Sequence, residues 1–440
     1  MRKIFQYILM AVAVVATASC SNELDEALQP AHNGTLQFVV SDFPAFGEGT
    51  QTRVIGTQDE GKTAWANGDK ILIHLYSQKY KDQAVTLIYN ANTWEPDGDI
   101  ALSYLENENP TITAVYAPDC EIKSDKTIGL SEGKTYGTAE YIPAKTTIEG
   151  NALKISFESG RTYSRLRIAA LADQELSVTT KGFTPAGATT VATEDATEAY
   201  TLTTDDKGNA YLYGTFAVDA TVTVNHGKVA LKDYAFTADK HPNGTTAGTS
   251  YALDARPVID GTFGGKATAT EDDIKALVEQ IKTYVDNGIT TITVTGSKPA
   301  IIDMGSYTST AIGEAICRLS GSGTHSADNP YNGKIDLILS DVTEIVDYDF
   351  YRAYALNSIT LPNVTKLGSY AFYDCQYLQK ITFGSVVTEG TPNENDFLYV
   401  GEAVDGCVLV LNSGQADAAA EYQPNFNDWS WWKTLWKRIQ

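Results

Sequence analysis

Enzymes need residues that move protons, hold metals or attack carbon, and this chain is sparing with them. Its 440 residues include five His, and none sits in a His-Glu-x-x-His pair. There is no Gly-x-Ser-x-Gly elbow and no phosphate-binding glycine loop. His74 lies in "KILIHLY" (70–76) between apolar neighbours, the place of a satisfied strand histidine. Asp and Glu number 55, yet no spacing singles out an acid/base pair. "TTDDKGN" (203–209) has a calcium-like flavour but lacks alternating Asp and a trailing Glu, so it reads as a hairpin turn. Beyond Cys20 the cysteines are Cys120, Cys317, Cys375 and Cys407, with no Cys-x-x-Cys spacing. That argues against zinc and for separately buried thiols. The expectation is a chain with no catalytic residue, no metal and no cofactor. One aromatic constellation remains. Trp429, Trp432 and Trp436 recur at i, i+3 and i+7 beside Trp431, and on a helix they share one broad face. Such a face can cap an open core or contact a ligand.

The elements that must position anything functional are mostly strands. Hydrophobic residues make up 43% and charged residues 20%, enough for folded cores throughout. Tyr (25) outnumbers Phe (14), and Thr alternates with apolar residues, the composition of a solvated sheet. "TLQFVV", "KILIHLY", "AVTLIYN" and "TITAVYAP" form one β block. A second is read from "ALKISFE" (152–158) to "SYALDA" (250–255). Gly and Thr crowd residues 258–269, which read as a linker. Thr270 with Asp273 then opens a helix carrying Ile274, Leu277, Val278, Ile281 and Tyr284 on one face. "TTITVTG" is the next strand and "TSTAIGEAICRLSG" a second helix. The formal charge of −22 argues against nucleic acid as a partner.

Near the C-terminus the sequence repeats itself. "LILSDVTEIVDYDFYRAYAL" (337–356) overlays "ITLPNVTKLGSYAFYDCQYL" (359–378) at an offset of 22. Leu339, Val342, Ile345, Phe350 and Leu356 fall on Leu361, Val364, Leu367, Phe372 and Leu378, while Ile359, Cys375 and Ile381 complete the second copy. The pattern "LP-V--L---AF--C--L--I" resembles the BspA-like leucine-rich repeat. The resemblance implies a short solenoid. Residues 270–440 would form it, with helices capping one end and the Trp-rich segment the other. "EAVDGC" (402–407) echoes "YAFYDC" as a degenerate third copy.

The N-terminus sets the compartment. Arg2 and Lys3 precede "IFQYILMAVAVVA", a run of signal-peptide length and short for a membrane span. "TASC" (17–20) resembles a bacterial lipoprotein signal, which implies cleavage after residue 19 and lipid on Cys20; the alternative is ordinary secretion. "SNELDE" behind it resembles the export signal of Bacteroidales surface lipoproteins, and residues 20–34 read as a tether. "TRVIGTQDEGKTAWANGDKILIHLY", "ANTWEPDG", "TITAVYAP" and "RTYSRLRIAAL", in that order, resemble the fimbrillin-like family. The resemblance implies two tandem transthyretin-like β-sandwiches, residues 35–147 and 148–257. It also makes Arg53 in "TQTRVIG" a candidate protease cleavage site, since pilus-building members are cut after an Arg in this region. A stalk subunit donates its C-terminal strand, whereas this C-terminus carries repeats, which argues against a stalk role.

The fold class expected is therefore mainly β with a small α+β part. The function expected is a lipid-anchored, surface-exposed outer-membrane adhesin displaying a repeat domain. Its partner would be a host or bacterial surface protein or a glycan. A fimbrial tip or accessory subunit, meeting other pilin subunits after cleavage at Arg53, is the alternative reading. A surface glycan-binding protein is a further one.

Overall fold

A computed structural model describes residues 37–45, 47–48, 62–98, 102–105, 108–157, 161–188, 196–303, 308–321, 326–389, 397–415 and 436–439. Cys20, Arg53, Trp429, Trp431 and Trp432 lie outside the described residues, as do the expected signal peptide and tether. No helix among the described residues is long and apolar enough to cross a membrane. The described residues are mainly β, with two α-helices, and the chain divides into two compact units.

The first unit draws on residues up to Ala45, Lys62–Thr135 and Glu140–Arg161. Its five-stranded antiparallel sheet runs Thr93–Pro96, Lys81–Asn90, Lys70–Ser77, Thr111–Tyr116, Ile142–Pro143. Ile71, Ile73, Leu75, Val85 and Leu87 are buried. His74 sits on the central strand with Nε2 2.9 Å from Asp82 Oδ1. Trp65 meets Phe43, Trp94, Tyr116 and Phe157 at 4.9–5.5 Å between ring centroids, mostly edge to face. The boundary expected at residue 148 moves. Ala152–Ser156 forms a hairpin with Lys145–Glu149 and pairs in parallel with Gln37–Val40, so "ALKISFE" closes the first unit instead of opening the second. The hairpin carries Leu153, Ile155 and Phe157, all buried, and only a tight turn separates its two strands.

In the second unit one sheet runs Thr197–Thr203, Glu175–Pro185, Asn209–His226, Ser164–Ala169, Thr249–Asp254, Gly47–Glu48, with Val229–Ala235 also paired to Asn209–His226. Leu176, Val178, Phe183, Leu212, Phe216, Val222 and Val224 alternate inward along the long strands. The 204–208 turn, expected to join adjacent strands, instead crosses over the end of Glu175–Pro185, because Thr197–Thr203 and Asn209–His226 flank that strand. Asp205 holds it by accepting from the amides of Lys207 (3.0 Å) and Asn209 (2.8 Å).

The same unit contains a seven-stranded parallel sheet: Val258–Asp260, Thr291–Thr295, Ile335–Leu339, Leu356–Leu361, Lys380–Phe383, Cys407–Val410 and Trp436–Ile439. Three expectations change here. Residues 258–260, read as linker, are the first strand, in register with Thr293–Thr295. The helices α1 (Glu271–Asp286) and α2 (Ala311–Leu319) fall in chain order between parallel strands, so they are crossovers in place of an end cap. Trp436–Ile439, expected on a helix face, is a strand whose pairing satisfies the open backbone edge of Cys407–Val410. The α1 capping box is present: the Thr270 hydroxyl takes the Asp273 amide, and Asp273 takes that of Thr270. The turn after His226 meets the end of α1. There the His226 ring lies between the carbonyls of Glu175 (2.7 Å) and Asn287 (2.9 Å). Gly227 (φ +55°) lies so close to the Asn287 side chain that a Cβ would crowd it.

Within the repeats the strand register is the sequence offset. Leu337 pairs with Ile359 and Ile359 with Ile381. Phe350, Phe372 and Phe397 form a buried column with ring centroids 5.7 and 5.9 Å apart and planes within 11° of parallel. The third copy is thus 397–401, 25 residues after its predecessor; "EAVDGC" lies beyond it, and Cys407 starts the next strand. Truncation of Phe372→Ala in the middle of the column should cost about 3–5 kcal/mol. Urea denaturation of the full chain measures it, and a loss below about 1 kcal/mol would contradict this packing.

Candidate binding surface

The predicted repeat residues fall on the inside. Leu339, Val342, Ile345, Phe350, Leu356, Ile359, Leu361, Val364, Leu367, Phe372, Cys375, Leu378 and Ile381 are all buried in one cluster, which also takes Ile274, Leu277 and Ile281 from α1. They build the scaffold and face no solvent. The four cysteines described are free thiols. Cys375 donates to the Phe350 carbonyl at 2.9 Å, and burial pushes its pKa well up. Burial likewise raises Cys407 to about 12, so neither thiol ionises readily.

The solvent side of the same turns carries tyrosine. Tyr348 stacks on Tyr370 at 5.0 Å with planes 2° apart, and Tyr351 on Tyr373 at 5.2 Å and 11°. Tyr399 meets Tyr373 edge to face at 5.8 Å. All five are half-buried. Amides of one turn donate to carbonyls of the next and fix this spacing: Tyr348 to Ser369 (3.0 Å), Phe350 to Ala371 (2.9 Å), Arg352 to Tyr373 (2.8 Å) and Asp374 to Leu398 (2.7 Å).

Those turns require left-handed backbone at two places per repeat. The first is Tyr348 (φ +59°) and Tyr370 (+56°). The second is Arg352 (+60°), Asp374 (+60°) and Tyr399 (+62°). Glycine meets that demand without strain, whereas a side chain costs roughly 1–2 kcal/mol. The chain nevertheless puts large polar side chains there, and strain of this kind gathers where a side chain has work to do. A polar node sits beside the rows. Asp374 Oδ2 accepts from the Tyr354 hydroxyl (2.9 Å) and Arg352 Nε (3.1 Å), and Oδ1 accepts from Gln376 Nε2 (2.8 Å). Burial, then the hydrogen bond to Asp374, raises the Tyr354 phenol pKa. The Arg352 guanidinium lies 5.1 Å over the Tyr351 ring.

Sequence reasoning named the inner residues and the terminal tryptophans, and passed over these tyrosines. The signal was present: Tyr348/Tyr370 and Tyr351/Tyr373 are identical at the same offset as the core, at positions the core pattern does not use. Asp349, where the next repeat has Ala371, is the other unread residue. Its buried carboxylate accepts from the Thr310 amide (2.9 Å), the Thr310 hydroxyl (2.6 Å) and the Ser309 hydroxyl (3.3 Å), and so ties the first repeat to the N-terminus of α2.

Residues 335–393 match the BspA type leucine-rich repeat region, a family described as six copies. A search of curated proteins gives no match. Among solved structures the chain is similar to a candidate cell adhesion protein from Bacteroides fragilis, at 11% identity and a TM-score of 0.25, over 50% of this chain and 92% of that one. It is also similar to a fimbrial protein from Bacteroides ovatus, at 10% identity and a TM-score of 0.23, over 50% of this chain and 48% of that one.

The geometry makes two stability predictions. Tyr370→Gly relieves the left-handed strain while Tyr370→Ala keeps it, and both lose the stack. The Gly variant should therefore be the more stable by about 1 kcal/mol, the reverse of the usual order of about 0.5–1 kcal/mol in Ala's favour. Equilibrium unfolding of the pair measures the sign. The second concerns Asp349, which burial raises to about 6 against the donors that lower it. An unfolded Asp titrates near ~4, so the folded state alone holds the proton between those values, and the stability it adds below pH ~4 is lost as pH rises through about 6. The loss is of order 3 kcal/mol. Asp349→Asn should flatten that fall and be the more stable variant at neutral pH, measured as unfolding free energy against pH.

Proposed function

We propose that this chain is a surface adhesin in which the leucine-rich repeats form a short solenoid with the tyrosine rows as its contact face. The reading gives the protein a binding role, with no catalysis and no cofactor. Two tandem transthyretin-like β-sandwiches would present the solenoid, and a lipid on Cys20 would anchor the chain at the outer membrane, facing outward. The observation that carries the proposal is the pair of solvent-side tyrosine rows, one of which, Tyr348 and Tyr370, is held on left-handed backbone. Tyrosine offers large, rigid, amphipathic contact area at low entropic cost, and is enriched at binding hot spots. The match of residues 335–393 to the BspA type repeat supports the same reading.

A tip or accessory subunit cut after Arg53 is the alternative proposal for how the chain is displayed. The contact face serves either. N-terminal sequencing of surface protein separates them: a blocked, lipidated Cys20 supports the anchored form and a start at Val54 the cleaved one. For the face itself, cells carrying Tyr351→Ser/Tyr373→Ser should adhere at least about tenfold less than wild type at equal surface amount, the effect of losing one hot spot. Unchanged adherence would sink the assignment.

A further inference from the structure

We infer that the partner taken by the tyrosine face is a protein segment rich in Arg and Lys, an inference that rests on the reading of this face as the contact surface.

Three observations point to that chemistry. The first is what the rings leave open. Within each row one face of each ring is closed against its neighbour at 5.0 and 5.2 Å, and the Tyr351 ring also carries the Arg352 guanidinium at 5.1 Å. A face seen to hold a further group thus holds a guanidinium, the chemistry of a cation over a tyrosine ring. The second is charge. Residues 335–415 hold eleven Asp and Glu against three Lys and Arg. Two of those three cations are already engaged: Arg352 with Asp374 at 3.1 Å, and Lys366 with Glu344 at 2.6 Å. Asp341, Glu344, Asp347 and Glu389 are exposed along the same repeats. The third is an internal precedent. Arg352 is held by a tyrosine ring at 5.1 Å and a carboxylate at 3.1 Å together. Exposed Asp347 precedes Tyr348 in the same turn, so an incoming guanidinium meets the same two kinds of group.

The negative charge of these repeats also sets the kinetics. It raises the encounter rate with a cationic partner and makes binding fall with salt, while the tyrosines hold what arrives.

The test uses the full chain and a fluorescent peptide of alternating Arg and Gly, with Glu-Gly and Ser-Gly peptides of equal length beside it. The expected result is saturable binding of the Arg peptide alone, weakened by salt. Tyr351→Ser/Tyr373→Ser should lose at least about tenfold in affinity. Tyr351→Phe/Tyr373→Phe keeps the stacks and the fold and should lose about threefold through the missing hydroxyls. Asp341→Asn/Asp347→Asn should weaken binding and flatten its salt dependence. Glu198→Gln/Asp206→Asn, an equal charge change at exposed positions away from the repeats, should do neither. Two outcomes overturn the inference. In one, both tyrosine variants bind the Arg peptide like wild type, so that net charge alone attracts it. In the other, the Ser-Gly or Glu-Gly peptide binds as well as the Arg peptide. If cell adherence still depends on the tyrosines in either case, the contact face stands and only the partner class falls.

Discussion

The repeat region rests on one constraint: a turn of parallel repeat cannot satisfy its own backbone. Strand amides pair with the strand of the neighbouring copy, and the outer-turn amides of Tyr348, Phe350 and Arg352 donate to carbonyls 21 residues further on. An unpaired buried amide is costly, so each copy is folded only as far as its neighbours are. This is why the sheet does not stop where the sequence repeat does. Thr291–Thr295 and Val258–Asp260 extend it at one end through helical crossovers, and Trp436–Ile439 extends it at the other. What reads as cap and linker in sequence is recruited as strand because an open edge of hydrogen-bonding groups needs a partner.

The same register that stacks the inside also stacks the outside. Phe350 lies over Phe372 and Tyr351 over Tyr373 because both pairs obey one offset. The inner column gains stability by leaving water. The outer rows gain less, being half-buried, and two of their members sit at backbone positions that disfavour any side chain. Core packing accounts for the phenylalanines. It does not account for tyrosine where glycine would strain nothing, and this asymmetry is what supports the proposed contact role.

Much of the fold was legible because it is written in local signals. Alternation marks Lys70–Ser77 and Asn209–His226 as strands, the Thr270/Asp273 box starts α1, and the 22-residue offset fixes the register of Leu337 on Ile359. The misreadings share a cause. Whether Ala152–Ser156 belongs with what precedes or follows it, whether residues 258–260 are linker or strand, and which strand the 204–208 turn passes depend on pairing between distant segments, and no local pattern carries that. The third repeat was misplaced because the spacing grows from 22 to 25 there, so Phe397 and not the later Cys407 continues the column. The tyrosine face was passed over because the core pattern directs attention inward.

Where the repeats begin also matters for what they can present. Asp349 ties the first copy to α2, Arg318 of α2 pairs with Glu314 on its own helix and with Glu271 of α1, and the end of α1 meets the turn that follows His226. Val229 and Leu231 of the other, mixed sheet, and Leu171 just beyond its Ser164–Ala169 strand, pack into the repeat core directly. The repeats therefore do not hang on a flexible tether from that sheet; they share its packing. Tyrosines held this way are pre-arranged, and a surface that is ordered in advance would lose less entropy on binding than one ordered by its partner.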